Sequence, residues 1–135
     1  MSSIAGLALL VAGVVLPATP AHAAGTIGWT VTNTATETKI EARLYQTGSG
    51  TTYLGYVSVI PGFTHTFYVV TVCDLADDGW PLTARIQETP TSAVYEVRDW
   101  DGPDGGCGSD GPPTIRKFRA ALEENGSPWA TPPAR

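Results

Sequence analysis

From Gly25 to about Val97 apolar residues recur at alternate positions, interrupted by turn-forming residues. Ile27, Trp29 and Val31 alternate with small or polar neighbours, and Asn33-Thr34-Ala35-Thr36 reads as a turn. Ile40, Ala42 and Leu44 then alternate with Lys39, Glu41 and Arg43, a strand with one wet face that Gly48-Ser49-Gly50 closes. Tyr53 to Ile60 is apolar on both faces, Tyr53, Val57 and Val59 opposing Leu54, Tyr56 and Ile60, and it ends at Pro61-Gly62. Phe63 to Val72 is again aromatic or β-branched on both faces, and this places His65 mid-strand on the face of Phe63 and Phe67. After a loop marked by Asp77-Asp78-Gly79 and Pro81, Leu82, Ala84 and Ile86 alternate with Thr83, Arg85 and Gln87. Val94 to Val97 repeat the pattern beyond Pro90.

About six strands at spacings of roughly 8 to 14 residues, with no helical stretch between them to carry a parallel crossover, predict antiparallel pairing. Two central strands buried on both sides beside half-wet outer ones fit two sheets packed face to face. The expected fold is all-β, a small antiparallel two-sheet sandwich of about six to seven strands, with a small closed barrel as the alternative. In outline this resembles immunoglobulin-like sandwiches, a likeness of architecture that implies no function.

The pattern changes beyond Asp99. Residues 99–113 are dominated by Asp, Gly and Pro, the composition of loops and tight turns. Within 114–125, Ile115, Phe118, Ala121 and Leu122 fall at helical spacing, with Thr114 as N-cap and Gly126 as the stop. That predicts a short amphipathic helix, although a seventh strand fits the same residues. Ser127 to Arg135 carries three prolines and reads as a disordered tail, with Trp129 loosely held. The expected organisation is a leader over 1–24, one domain over 25–126 and a tail over 127–135.

The leader rests on the uncharged run Ile4 to Leu16, too short for a bilayer span of about 20 residues, followed by Pro17 and the small residues of Ala21-His22-Ala23. Cleavage after Ala23 or Ala24 leaves a mature chain beginning near Gly25. The n-region, Met1-Ser2-Ser3, departs from the pattern in lacking Lys and Arg. Secretion is the expected fate, with no membrane attachment after cleavage. The remaining length, about 110 residues, suits one domain.

Formal charge changes the picture by exclusion. The net charge of −5 belongs wholly to the part after the leader, which argues against nucleic acid or an anionic membrane as partner. Arg116, Lys117 and Arg119 form the one basic cluster and read as a solvated helix face. The only cysteines, Cys73 and Cys107, are expected to pair in an exported chain.

Catalytic inventory is thin. His65 is the sole histidine after the leader, no G-x-S-x-G surrounds any serine, and the Gly48-Ser49-Gly50 segment suits a hairpin loop. No catalytic residue, metal or cofactor is therefore assigned, and the chain is not expected to be an enzyme. The disulfide draws together two acidic loops, one with Asp74, Asp77 and Asp78 and the other with Asp99, Asp101, Asp104 and Asp110. Aspartates in such segments mostly serve turns. A weak calcium site from Asp99, Asp101 and Asp104 departs from the EF-hand loop at three positions. Trp80 and Trp100 lie in the same tied loops beside aspartates, where an indole either caps the core edge or meets a partner. Trp80, Trp100, Asp99 and Asp101 are the candidate contact residues of a monomeric, non-catalytic binding protein whose partner is an extracellular glycan or secreted protein. An inhibitor of a secreted hydrolase is the second reading, since rigid stapled loops suit it, and a small hydrolase the third.

Overall fold

A computed structural model describes residues 25–46, 48 and 50–135; the expected leader lies outside them. Nine strands follow in chain order: β1 (Gly25–Asn33), β2 (Thr38–Gln46), β3 (Gly50–Pro61), β4 (Tyr68–Asp74), β5 (Leu82–Gln87), β6 (Val94–Arg98), β7 (Gly108–Asp110), β8 (Lys117–Leu122) and β9 (Asn125–Gly126). They form a five-stranded sheet, β1-β2-β3-β4-β7, and a four-stranded sheet, β6-β5-β8-β9, antiparallel at every pairing. The two sheets stay open rather than closing into a barrel, and the fold is the expected small β-sandwich.

The core is the interface between the sheets. Ile40, Val57, Val59, Val70 and Val72 from one side meet Leu82, Ile86, Phe118 and Leu122 from the other, all buried. Alternation in β2 works as read: Ile40, Ala42 and Leu44 point inward while Lys39, Glu41 and Arg43 stay half-buried outside. In β3 the expected assignment of faces is wrong. Pairing with β2 skips Leu54, so Gly55 faces Ala42 while Tyr53 faces Arg43, and the bulge shifts the period by one. Leu54 thereby joins Val57 and Val59 inside, and Tyr53 joins Tyr56 outside. Gly55 has φ 146°, and a Cβ there would lie 2.1 Å from the Cys73 carbonyl oxygen, so no other residue fits. Cations cover the outward tyrosines: Lys39 sits 4.4 Å above the Tyr56 ring and Arg43 4.9 Å above Tyr53. The Tyr53 hydroxyl donates to Glu41 at 3.0 Å, and burial with that bond pushes its pKa up to about 12.

Three further expectations are corrected. First, no α-helix forms over 114–125. Lys117–Leu122 is a strand whose Phe118, Ala120 and Leu122 face Ile86, Ala84 and Leu82 of β5. The open edge of β5 needed a partner, and period-two burial of those residues outweighs helical spacing. Second, 127–135 is not a loose tail. Phe118 and Ala130 exchange backbone hydrogen bonds, the Ala120 N–H donates to the Ser127 hydroxyl, and Tyr68 donates to the Pro133 carbonyl at 3.2 Å. The segment thus extends the four-stranded sheet and crosses back to the other. Trp129 lies against Lys117 and Arg119, whose cations stand 4.7 and 4.8 Å from its ring centre. Third, His65 sits in the exposed β3–β4 turn with φ 55°, not mid-strand, because the chain reverses over Gly62 to Phe67.

Candidate functional site

Two connections cross between the sheets at one end of the sandwich. Residues 75–81 run from β4 to β5, and residues 99–107 return from β6 to β7. Cys73, buried near the end of β4, is bonded to Cys107, exposed at the end of the second connection, with 4.4 Å between their Cα atoms. The expected disulfide is present. Between the two loops lies a cleft of about 250 Å³. Trp80, Trp100, Asp99, Asp101 and Asp104, every residue singled out from the sequence, line it together with Asp74 and Asp77.

The two tryptophans differ. Trp80 is half-buried and packs on the core, and its backbone N–H donates to the Asp78 carboxylate at 2.8 Å in a local turn. Trp100 is 84% exposed; its one cation contact is Arg98, whose guanidinium carbon lies 5.5 Å from the ring centre. Arg98 is in turn held by Glu96, whose carboxyl sits below its usual range because of that bond. One indole closes the inner wall while the other stands free at the rim.

The aspartates divide similarly. Asp101 and Asp104 are exposed, as their Gly- and Pro-rich surroundings imply. Asp99, a candidate contact residue from the sequence, is instead 2% exposed. Its Oδ2 accepts the Asp74 N–H at 2.9 Å, a bond between chain segments that no sequence spacing reveals. Asp74 is buried too, accepting the Leu82 N–H at 3.1 Å and the Ala76 N–H at 3.2 Å. Together these carboxylates tie β4, β5 and the end of β6. Burial raises the Asp74 pKa above its ordinary value, against its two backbone donors and with help from the charges of Asp78 and Asp99. Asp99 Oδ1 is buried and accepts no hydrogen bond.

Metal chemistry finds no support in this geometry. Among the described residues no three carboxylate, histidine or cysteine side chains are grouped to hold an ion. Of the weak calcium candidates Asp99, Asp101 and Asp104, Asp99 turns inward to the Asp74 N–H while the other two are exposed. Asp101 meanwhile folds against Gly105, where a Cβ would fall 1.9 Å from its oxygen. At the opposite end, His65 lines a hollow with Ser58 and Glu37, yet the Ser58 hydroxyl donates to Glu37 at 2.6 Å. No hydroxyl-to-imidazole relay is built there. A hollow of about 530 Å³ between β1 and the β8–β9 turn has, among the described residues, Glu124 as its one titratable side chain.

The architecture defines the class: an open two-sheet antiparallel sandwich with one disulfide and a tryptophan-lined acidic cleft. Compared with known proteins, the chain matches no family model, no curated protein and no solved structure.

Proposed function

We propose that the chain is a secreted, non-catalytic binding protein that engages an extracellular partner through Trp100 and the cleft behind it. The observation that carries this reading is the contrast between Trp80, which caps the core, and Trp100, left almost bare over a stapled loop. Large apolar surface kept in water favours contact with something. The staple supports the same reading, since a loop ordered in advance loses less entropy on binding. Export rests on the leader and agrees with the disulfide.

The test is capture of partners from the culture medium and cell-wall fraction by the mature protein and by Trp100→Ala. An anchor predicts a melting temperature within a few degrees of the parent and binding weaker by about 2 kcal/mol, roughly thirtyfold. A variant that folds equally well and captures equally well overturns the reading. An insoluble glycan or a secreted hydrolase retained in a Trp100-dependent way separates binding module from inhibitor.

A further inference from the structure

The cleft has a charge pattern that narrows its guest. Among the described residues, every titratable side chain lining it is an aspartate, with no lysine, arginine or histidine. The nearby guanidinium of Arg98 is engaged by Glu96 and by the Trp100 ring. Asp99 is more than nine-tenths buried with Oδ1 unpartnered, whereas a buried carboxylate oxygen ordinarily holds a donor. A neutral guest would leave the charge of the surrounding aspartates uncompensated. A cation compensates it, the buried Asp99 included through the field of its charge, and an indole beside it adds a further attraction.

The cleft also continues. Ala76 and Asp77 line it on one side and, on the other, a hollow of about 360 Å³ walled by Leu44, Leu54, Leu75 and Tyr53 together with Gln46, Thr52 and Asp78. Leu75 is among the exposed large apolar residues. A compartment whose charges are all acidic thus adjoins, across a single loop, one that offers three leucines and a tyrosine among its walls.

Resting on the reading of the cleft as a binding site, we propose that its guest is an extended protein segment. A lysyl or arginyl side chain of that segment enters between the acidic loops, and a neighbouring apolar side chain occupies the adjoining hollow. Asp99 and Asp74 provide the buried negative charge, Asp101 and Asp104 the outer field that draws the segment in, and Trp100 the flat surface along which the basic side chain lies. Deprotonation of Asp74, held back in the free protein by burial, is favoured once a cation arrives.

Indole signals of Trp80 and Trp100 in the folded, oxidised protein report on the site during titration with small probes. The probes are lysine blocked as its acetyl and methylamide derivative, the same compound acetylated on Nε, and blocked Lys-Leu, Leu-Lys and Lys-Gly dipeptides. The charged lysine is expected to shift both indoles saturably, more weakly as salt rises, and to bind at least about tenfold tighter than its neutral twin. Asp99→Asn, which keeps an oxygen for the Asp74 N–H, should lose about tenfold or more of that affinity. The exposed pair Asp101→Asn and Asp104→Asn, which disturbs no packing, should lose part of it. One of the two leucine dipeptides should bind about tenfold tighter than Lys-Gly, the value of burying one such side chain. Equal binding of charged and neutral probes overturns the cationic guest while leaving a Trp100-centred site intact. Equal binding of all three dipeptides overturns the extended segment. No shift with any probe overturns the proposal, and the Trp100→Ala capture experiment then decides separately whether the cleft binds at all.

Discussion

Trp100 and Trp129 are both surface indoles in segments rich in glycine or proline, and both stand beside arginine, yet the structure treats them differently. Trp129 is 37% exposed, flanked by Lys117 and Arg119 on a strand whose backbone bonds hold the neighbouring Ala130. Trp100 is 84% exposed, on a loop held by a disulfide and two buried carboxylates. The first segment is built as an extension of a sheet and uses its indole to cover that sheet. The second is built as a fixed frame and leaves its indole uncovered. An exposed aromatic is thus informative only once its covering is accounted for.

Breaking the frame should have the largest effect. Replacing Cys73 and Cys107 by serine removes a cross-link between positions 34 apart, an entropic contribution of about 4 kcal/mol. Calorimetry should show a fall in melting temperature of about 15 °C or more, with partner capture lost at temperatures where the loops loosen. Ending the chain at Gly126 removes the Phe118–Ala130 pair and the Ser127, Thr131 and Pro133 contacts. Denaturant unfolding should register a loss of about 3 kcal/mol. An unchanged midpoint would return 127–135 to the status of a loose tail.

The two tryptophans themselves give the sharper contrast. Trp129→Ala should cost about 1 to 2 kcal/mol of stability, because two cation contacts and part of the sheet's cover go together. Trp100→Ala should cost well under half of that and act on binding instead. If the two variants melt alike, the distinction between covering and presenting fails.

The smallest effect is a slope in pH. Asp74 has a folded-state pKa above its unfolded one, so its contribution is fully present below the ordinary aspartate range and is lost as pH rises through the raised value. Stability of the parent relative to Asp74→Asn should therefore decline as pH rises from about 4 towards neutrality. A difference that is flat, or that grows with pH, refutes the assignment. Glu96 works the other way, its contribution being lost only as pH falls below its usual range.

Much of this was legible beforehand where local rules apply. Alternation placed β1, β2 and β5, the two cysteines announced their bond, and the tryptophans and aspartates that line the cleft were all among those named in the acidic loops. The errors have physical causes. A single skipped residue at Leu54 inverted the expected faces of β3, and bulges leave no reliable mark in hydropathy. Phe118, Ala121 and Leu122 fit a helix as well as a strand, and only the vacant edge of β5 chose between them.

The sequence alone determined the alternation of β2 and β5, which depends on neighbours close along the chain, and the staple, because only two cysteines were there to pair. Tertiary structure decided the rest. Asp99 and Asp101 flank the same tryptophan, yet one is buried against the Asp74 N–H and the other is exposed. Asp74 and Asp99 lie 25 positions apart, and what brings their charges together is the crossing of two loops at one end of the sandwich. That crossing also turned Trp80 to the core and left Trp100 outside. Which of two chemically equal residues becomes a wall and which an edge depends on long-range packing, and no local pattern encodes it.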